Sequence, residues 1–387
     1  MTDDVCVIVP TIRNHEACRA YVENARTHSF DCDRLTFVLV TEDHCDTAAM
    51  AEMLDDLGVT GEVFDGTRRE QWFHDHGLAQ YTDLIPARSH AQTSFGLLYL
   101  WASDAEYGVF IDDDTRPQPG TDFFGRHLGN LNYEGPIEAV RSDERWVNVL
   151  YQTVGEHGLY PRGYPYGAMG EQVETATTTV DDVVASQGLW TDVPDLDAVR
   201  ILLDGDLEGQ AQTRLTAEHY DEDFVAAPGQ FLTVCSMNLA FRREVVPAFY
   251  QLPMDDNPWD IGRFDDIWSG VFLKRAADCL DKQIVNGHPL CVHEKAPRST
   301  FGDLANEAPA LELNEHLWRI VDDVDPRGSS FVEVFAAMGH ALTDREFDLR
   351  NGEFLNYVGE HMLDWLDCLE ALDQAAADRT AEVPADD

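Results

Sequence analysis

The amino-acid sequence predicts an α/β fold with a mostly parallel sheet of the Rossmann-like type. Residues Val5–Pro10 form a continuous apolar run, and Leu35–Val40 form a second one. A third, shorter run at residues 109–111 ends directly at three aspartates. Apolar runs of this length are typical of buried strands, and the segments between them have helical spacing. Strands that alternate with helices favour a parallel sheet with right-handed crossovers.

Further elements are predicted along the rest of the chain. Periodic spacing predicts helices at residues 48–57, 94–102 and 265–279 and short strands at residues 62–64 and 231–234. Residues 160–223 are rich in Gly, Pro, Thr and acidic residues and lack a long periodic run. We therefore expect substrate loops there that cross a scaffold.

The C-terminal part is predicted to be helical. Apolar residues spaced by three or four recur through residues 311–372. We expect a main domain at residues 1–305 and a C-terminal helical appendage at residues 306–375, which packs on the sheet or on another subunit. Residues 376–387 are expected to form a disordered acidic tail.

The charge balance limits the classes of function. The chain has 72 acidic and 27 basic residues, a net charge of −45, yet 44% of its residues are hydrophobic. It can therefore bury a core, unlike disordered acidic proteins. Such a surface repels itself in dilute buffer and is typical of a salt-rich cytosol. We expect no nucleic-acid partner, because the sequence has no basic stripe.

Cysteines and apolar segments indicate the compartment. Eight cysteines are scattered without a CxxC pair, which suits free thiols in a reducing cytosol better than disulfides or a zinc site. No apolar segment approaches the length of a membrane span, and the first residues lack a signal-peptide pattern. We therefore expect a soluble, cytoplasmic protein without a membrane span.

Asp112, Asp113 and Asp114 are the most informative residues of the sequence. They follow a predicted strand, and open α/β sheets bind their ligands at the carboxyl ends of strands. Hard oxygen ligands hold Mg²⁺ or Mn²⁺, which in turn hold nucleotide phosphates. Because the chain has no GxGxxG or Walker loop, a metal is expected to neutralise the phosphates. The alternative is an acidic turn in a very acidic protein.

Thr11, Arg13 and Asp43 follow the first two predicted strands and are expected to face the same crevice. We expect Thr11 and Arg13 to contact a nucleoside, and Asp43 to accept a hydrogen bond from its base or ribose. An ordinary loop with a helix-capping role is the alternative for each residue.

Later motifs carry further polar candidates. Arg162 and Tyr164 lie in a stiff loop with prolines and glycines that offers stacking faces and hydroxyls to a sugar. Asn238 follows a predicted strand and suits sugar hydroxyls, unless it is a buried amide that caps backbone groups. Asp265 and Asp266 begin a predicted helix, where a carboxylate can act as a base, orient an acceptor hydroxyl or merely favour the helix N-terminus.

His293 and Lys295 follow another predicted strand end. A neutral His293 is expected to complete the metal shell, and a structural histidine is the alternative. Lys295 or Arg298 is expected to neutralise a leaving diphosphate.

In this order the motifs resemble those of the reversibly glycosylated polypeptides, the UDP-arabinopyranose mutase family of plants. The matching segments are residues 9–14, 111–114, 162–165, 188–190, 194–198, 235–241, 261–268 and 293–296. The resemblance covers roughly residues 5–300, and the helices from residue 311 are unlike the plant tail.

The resemblance implies a glycosyltransferase-A type fold and a divalent metal, usually Mn²⁺ with Mg²⁺ as the alternative. Asp112 and Asp114 are then the expected metal ligands, with His293, and Asp113 and Trp190 are expected substrate contacts. The resemblance also implies interconversion of the pyranose and furanose forms of a UDP-pentose, which is UDP-L-arabinose in plants, and self-glycosylation at Arg162.

Two other functions stay open at this point. One is a glycosyltransferase that moves the sugar from a UDP donor to a protein or glycan, which would release free UDP with turnover. The other is a non-catalytic scaffold that glycosylates itself once. The expected partner is a UDP-sugar in each case, and we expect a homo-oligomer.

Overall fold

A computed structural model describes residues 4–13, 15–153, 158–254, 257–325 and 328–382. The strands are β1 (Val5–Pro10), β2 (Leu35–Val40), β3 (Thr60–Phe64), β4 (Tyr107–Ile111), β5 (Thr115–Pro117), β6 (Gly135–Ser142), β7 (Trp146–Val147), β8 (Val173–Val180), β9 (Val183–Asp192), β10 (Phe224–Ala226), β11 (Phe231–Leu232), β12 (Asn238–Arg242) and β13 (Gln283–His293). The helices are α1 (Ala17–Thr27), α2 (Thr47–Leu57), α3 (Gly66–Asp75), α4 (Thr93–Ala102), α5 (Phe123–Leu131), α6 (Ala198–Asp204), α7 (Asp265–Cys279), α8 (Thr300–Asp322), α9 (Phe331–Thr343) and α10 (Glu353–Glu382).

Most of these strands form one large sheet in the order β3-β2-β1-β4-β12-β9-β13-β10-β6-β8, and β5 pairs with β13 beside it. The first four strands of this order, β3, β2, β1 and β4, are parallel to one another. Strand β12 runs antiparallel between β4 and β9, and parallel and antiparallel pairings alternate beyond it. The α/β fold is confirmed, and its N-terminal strands form the parallel part that the sequence predicted.

Strand β1 is apolar on both faces because a core lies on each side of it. Val7 packs in one core with Tyr21 of α1, and Ile8 packs in the other with Phe95 of α4. Helix α4 approaches β1 closely at Gly96, where a Cβ atom would lie 2.2 Å from Ile8. Continuous apolar sequence is what a strand covered on both faces requires.

The middle of the chain differs from the sequence prediction. Residues 160–223, which we expected to form loops, contain the long strands β8 and β9. Strand β8 lies at the edge of the sheet, and all its residues except Val180 are exposed. Its threonines favour strand conformation, but a polar strand has no apolar run by which the sequence would reveal it.

The C-terminal helices pack against the body of the protein. Phe335 of α9 and Trp365 of α10 belong to the core that contains α4 and α7, and the Trp365 ring stacks on Tyr250 with 4.8 Å between centroids. Helix α8 begins at Thr300, where the Ser299 hydroxyl accepts a hydrogen bond from the backbone of Gly302. It therefore starts before the boundary at residue 306 that we expected.

The last helix is longer than the sequence analysis predicted. Helix α10 continues to Glu382, so residues 376–382 are helical and not a disordered tail. Three alanines at residues 375–377 favour this continuation, since alanine has the highest helix propensity. Residues 383–387 of the expected tail lie outside the described residues. Among the helices that the structure describes, none is both long and apolar enough to span a membrane.

Candidate active site

A cavity of about 270 Å³ opens at the carboxyl ends of β1 and β4. Two groups of lining residues are distinguished by their chemistry. The first, the aspartate wall, consists of Thr11, Arg13, Asp112, Asp113, Asp114 and His293. The second, the arginine wall, consists of Arg162, Asp195, Arg263, Asp265, Asp266 and Arg298. The structure thus brings together residues that lie up to 287 positions apart in the chain, from Thr11 to Arg298.

In the aspartate wall, the middle carboxylate is fixed by two donors. The Thr11 hydroxyl donates to Asp113 Oδ2 at 2.9 Å, and Arg13 Nη2 donates to Asp113 Oδ1 at 2.9 Å. The same nitrogen lies 3.9 Å from Asp114 Oδ2. Thr11 and Arg13, which we expected to contact a nucleoside, thus orient the aspartates, although the Arg13 side chain stays half exposed beside the cavity.

Asp112 differs from Asp113, because no hydrogen-bond donor to its carboxylate is recorded in the described part of the chain. Its backbone carbonyl accepts from the Thr115 hydroxyl at 2.8 Å, which fixes the turn after β4. Burial raises the pKa of Asp112 well above its ordinary value, and the negative charges of Asp114 and Asp266 raise it further. A carboxylate in such a setting is stabilised by a cation.

His293, at the end of β13, presents one ring nitrogen to the aspartates. Its Nδ1 lies 2.8 Å from the carbonyl oxygen of Val193, which only accepts, so Nδ1 carries the proton. The lone pair is then on Nε2, which lies 3.9 Å from Asp114 Oδ1. Burial lowers the pKa of His293 against the opposing charge of Asp114, which favours the neutral, metal-binding form.

Asp112, Asp114 and His293 have the donor chemistry of a divalent-cation site, and of these Asp114 and His293 lie within reach of one ion. Bonds of about 2.1 Å to one ion allow two ligand atoms to lie up to about 4.2 Å apart, so the distance between Asp114 and His293 permits a shared ion. Among the described residues, however, no group of three or more His, Cys, Asp or Glu side chains is placed to hold a metal ion by itself. An ion held here would take its remaining ligands from water and substrate oxygens, as Mg²⁺ commonly does.

In the arginine wall, the Arg162 guanidinium is held on several sides. Its Nε donates to Asp195 Oδ2 at 3.0 Å, and its Nη1 and Nη2 donate to the two oxygens of Asp266 at 3.1 and 3.2 Å. Nη1 also donates to the backbone carbonyl of Arg263. Burial alone would lower the pKa of Arg162, but the charges of Asp195 and Asp266 outweigh it and raise the pKa well above its usual value. Arg162 is therefore a cation at rest.

The local sequence explains how Arg162 reaches this position. Its backbone N–H donates to the carbonyl of Asp195 at 2.9 Å, which ties the two loops together. Gly163 has a φ of +88°, and a Cβ atom there would lie 2.2 Å from Ile267 of α7. Only glycine permits both the backbone conformation and the close approach. The Arg-Gly pair therefore places the guanidinium against the first turn of α7.

Asp265 and Asp266 form that first turn, as the sequence predicted. Asp266 makes the two-oxygen contact with Arg162, and Asp265 lines the cavity beside it. Their position also suits the positive end of the helix dipole, so the structural and chemical interpretations of this pair apply together.

Lys295 lies behind Asp195, and not among the residues that line the cavity. Its side chain is buried, and its Nζ lies 4.0 Å from Asp195 Oδ1. Burial would raise the pKa of Asp195, but the charges of Arg162 and Lys295 lower it well below its usual value. Lys295 therefore acts on Asp195, and the direct contact with a diphosphate that we expected is not supported by its position.

Asn238 does not face the cavity. Its amide nitrogen donates to the backbone carbonyls of Leu189 and Pro289, at 3.2 and 3.0 Å, and its oxygen lies 2.9 Å from Nε2 of His127. The expected contact with sugar hydroxyls is therefore replaced by the alternative, a buried amide that joins strands. Ser236, two residues earlier, lines the cavity instead.

Three other expected substrate contacts also lie away from the cavity. The Tyr164 hydroxyl is buried and donates to the carbonyl of Trp146 at 3.0 Å. Trp190 is 1% exposed and packs in the core. Asp43 is exposed, and its Oδ1 accepts from the backbone N–H of Thr67 at 2.9 Å near the start of α3. The polar groups of Tyr164 and Asp43 bond within the fold, and none of the three residues lines the cavity.

Asp195 and Arg263 are site residues that the sequence analysis did not single out. Asp195 follows strand β9, so the same strand-end signal that identified Asp112 applied to it. Asp195 was not recognised in this way because the sequence analysis did not predict β9. Arg263 lies in a loop with a φ of +63°, a conformation that nothing in its local sequence indicates.

The chain is similar to a family of known proteins. A family profile described as reversibly glycosylated polypeptide matches residues 78–372. The chain belongs to this family. The family match includes the C-terminal helices, which we expected to lie outside the resemblance, and it does not include the first three strands.

Several plant relatives of the family resemble the chain. UDP-arabinopyranose mutase 1 of Arabidopsis thaliana is 35% identical over 241 residues, which cover 62% of this chain and 61% of that protein. UDP-arabinopyranose mutase 1 of Oryza sativa subsp. japonica is 31% identical over 247 residues, or 62% of this chain and 60% of that protein. The chain spans about three fifths of the length of such relatives.

Solved structures overlap the chain only loosely. A mannosyltransferase from Pyrobaculum calidifontis in complex with GDP-Man and Mn²⁺ has 14% sequence identity and a TM-score of 0.35, and covers 98% of this chain and 76% of its own. TarS from S. aureus in complex with UDP-GlcNAc has 12% identity and a TM-score of 0.34, and covers 96% of this chain and 81% of its own. Overlaps of this extent say nothing about the ligands of the present protein.

Proposed function

We propose that the protein is a UDP-sugar mutase that interconverts the pyranose and furanose forms of a UDP-pentose resembling UDP-L-arabinose. The observation that carries the proposal is that the aspartate wall and Arg162 line one cavity. Membership of the reversibly glycosylated polypeptide family and the printed names of the plant relatives support it. One wall suits a diphosphate with its cation, and the other suits the reacting sugar.

On the diphosphate side, Asp112, Asp114 and His293 would hold Mn²⁺ or Mg²⁺. The ion would supply positive charge that stabilises the UDP leaving group. Asp113 is fixed by Thr11 and Arg13, so this middle carboxylate keeps its position while substrate enters. The exposed part of the Arg13 guanidinium faces the same space and adds a second positive charge there.

On the sugar side, the bond between the anomeric carbon and the UDP oxygen breaks through an oxocarbenium-like state. The oxygen of the other ring-forming hydroxyl then bonds to the anomeric carbon and loses its proton, while the former ring oxygen leaves that carbon and takes up a proton. A phosphate oxygen of the retained UDP then bonds to the anomeric carbon again. Reactant and product have the same atoms, so no oxidant or reductant is needed.

Self-glycosylation at Arg162 requires a proton acceptor, because the guanidinium is a cation at rest. When a terminal nitrogen bonds to the anomeric carbon, its proton passes to Asp266, which lies 3.1 and 3.2 Å from the two nitrogens. UDP leaves in the same step. In the reverse step, UDP displaces Arg162 from the anomeric carbon and the proton returns to the arginine.

NMR of UDP-arabinopyranose incubated with the protein and Mn²⁺ in molar KCl tests the proposal. The salt screens the net charge of −45. A mutase produces UDP-arabinofuranose without loss of total nucleotide sugar. Accumulation of free UDP with turnover would indicate a transferase, and a single stoichiometric labelling without furanose would indicate a scaffold; either result contradicts the proposal.

A further inference from the structure

Arg263 and Arg298 are two cations whose guanidinium groups are only partly paired with carboxylates of the protein. Both residues line the cavity. Arg263 Nε donates to Glu307 Oε1 at 2.7 Å, and its Nη1 lies 3.5 Å from Asp303 Oδ1. Arg298 Nε lies 2.9 Å from Asp303 Oδ2, but it is not aligned for a hydrogen bond. In the part of the chain that the structure describes, no hydrogen bond from the terminal nitrogens of Arg298 is recorded.

The carboxylates behind these arginines come from helix α8. Glu307 is fully buried, and its second oxygen accepts from the backbone N–H of Ala198 at 2.7 Å, so the glutamate cannot turn away from Arg263. Asp303, one turn earlier, lies between Arg263 and Arg298. The helix therefore orients both guanidinium groups before any ligand arrives, which lowers the entropic cost of binding.

The surroundings concentrate positive charge in a base-poor chain. Only 27 of the 387 residues are Lys or Arg, yet Arg162, Arg263, Lys295 and Arg298 lie close together at the arginine wall. Burial lowers the pKa of Arg298, and the like charge of Arg263 lowers it further. Asp303 offsets part of this repulsion, and a further anion on the terminal nitrogens of Arg298 would offset more of it.

We infer that Arg263 and Arg298 form an anion subsite in this cavity that binds a phosphate group of the substrate diphosphate. The identity of the anion as a diphosphate rests on the proposed function, whereas the subsite itself rests on the two guanidinium groups. A planar guanidinium fork matches the oxygens of a phosphate, and charge-assisted hydrogen bonds of this kind are strong. The subsite also gives the C-terminal helical region a role, because α8 supplies Asp303 and Glu307.

Isothermal titration calorimetry of wild type and Arg298→Gln tests the subsite with UDP, uridine and inorganic pyrophosphate. Arg298 suits substitution because its side chain is 36% exposed, and thermal unfolding checks that the variant is folded. We expect Arg298→Gln to weaken UDP and pyrophosphate binding roughly tenfold or more and to leave uridine binding unchanged. Arg126→Gln is the matched control: this exposed arginine pairs with Asp223 at 3.2 Å outside the cavity and should not affect UDP binding.

The outcomes separate the subsite from the proposed function. Equal UDP affinity in wild type and Arg298→Gln overturns the subsite, and so does an equal loss of uridine and UDP affinity. If wild type binds pyrophosphate but not UDP, and Arg298→Gln weakens that binding, the subsite stands while the nucleotide-sugar function fails.

Discussion

The two walls of the cavity balance their charges in different ways. In the arginine wall, Arg162 is paired with Asp195 and Asp266 within 3.2 Å, and Arg263 is paired with Glu307. In the aspartate wall, Asp113 is held by donors, while burial and neighbouring negative charges raise the pKa of Asp112. Apart from Arg298, the cations of the arginine wall have their counter-ions within the protein, whereas the carboxylates of the aspartate wall have too few cations beside them.

This difference indicates which parts of the site are preformed. A wall whose charges are already paired keeps its geometry without ligand, which suits a group that must meet the anomeric carbon at a fixed position. A wall with excess negative charge is stabilised by binding a cation. Removal of a bound cation should therefore destabilise the aspartate wall. The arginine wall should instead be destabilised most by substituting one residue of an ion pair.

Removal of Asp195 should have the largest effect on stability. Asp195→Ala leaves the buried cations Arg162 and Lys295 without a shared partner, and breaking a buried ion pair costs about 3–5 kcal/mol. The matched control is Glu294→Ala, which removes the exposed partner of Arg116 and should cost under about 1 kcal/mol. Urea unfolding measures both. Equal costs would show that the arginine wall is not held by its ion pairs.

Arg162→Lys should have the next largest effect, on rate and not on folding. A single ammonium cannot donate to Asp195 and to both oxygens of Asp266 in the planar geometry of a guanidinium. We expect kcat for furanose formation to fall roughly 100-fold, with a change in KM of less than about threefold. Arg126→Lys serves as the control. Full activity of Arg162→Lys would remove the specific role of the arginine.

Manganese should stabilise the protein through the aspartate wall. With Mn²⁺ at a hundred times its dissociation constant, the free energy of unfolding should rise by about 2.7 kcal/mol over that in EDTA. Asp114→Asn should lose most of this gain, because it removes a negative ligand that lies near His293. Asp43→Asn, which changes an exposed carboxylate away from the cavity, should keep it. An equal rise in the free energy of unfolding in both variants would show that the ion binds elsewhere.

The smallest expected effect on stability comes from His127, which lies in a neutral cluster outside both walls. His127 is buried between the Ser186 hydroxyl and Asn238, and burial lowers its pKa to about 4. The unfolded chain takes up this proton near pH 6.5, so stability is present above that pH and is lost as the pH falls toward 4. This costs about 2 kcal/mol between pH 7 and pH 5.

Urea unfolding of wild type and His127→Gln at the two pH values isolates this contribution, because other titrating groups are common to both proteins. The variant should lose about 2 kcal/mol less between pH 7 and pH 5 than wild type does. An identical pH dependence would mean that burial does not lower the pKa of His127, which contradicts this prediction.

The sequence predicted the aspartate wall well and the arginine wall only in part. Asp112 and His293 lie at strand ends, and the strand-end rule needs only a recognisable strand. Asp195 also follows a strand, but that strand was not recognised because residues 160–223 were predicted to form loops. The partners of Arg263 come from α8, some 40 residues away, and no local pattern indicates such a contact.

The sequence also indicated the wrong polar residue near the start of β12. Asn238 and Ser236 are two positions apart, yet only Ser236 lines the cavity, because Asn238 has already entered β12. The start of the strand determines which of these polar groups lines the cavity and which one bonds to the backbone. Sequence patterns place strand boundaries only to within a few residues, so the wrong member of the pair was chosen.

The most direct test of the account is an approach to equilibrium from both sides. NMR follows two reactions with the protein and Mn²⁺, one started from UDP-arabinopyranose and the other from UDP-arabinofuranose. A mutase brings both to the same pyranose-to-furanose ratio while total UDP-sugar stays constant. Different final ratios, or a steady loss of UDP-sugar to free UDP, would contradict the mutase function.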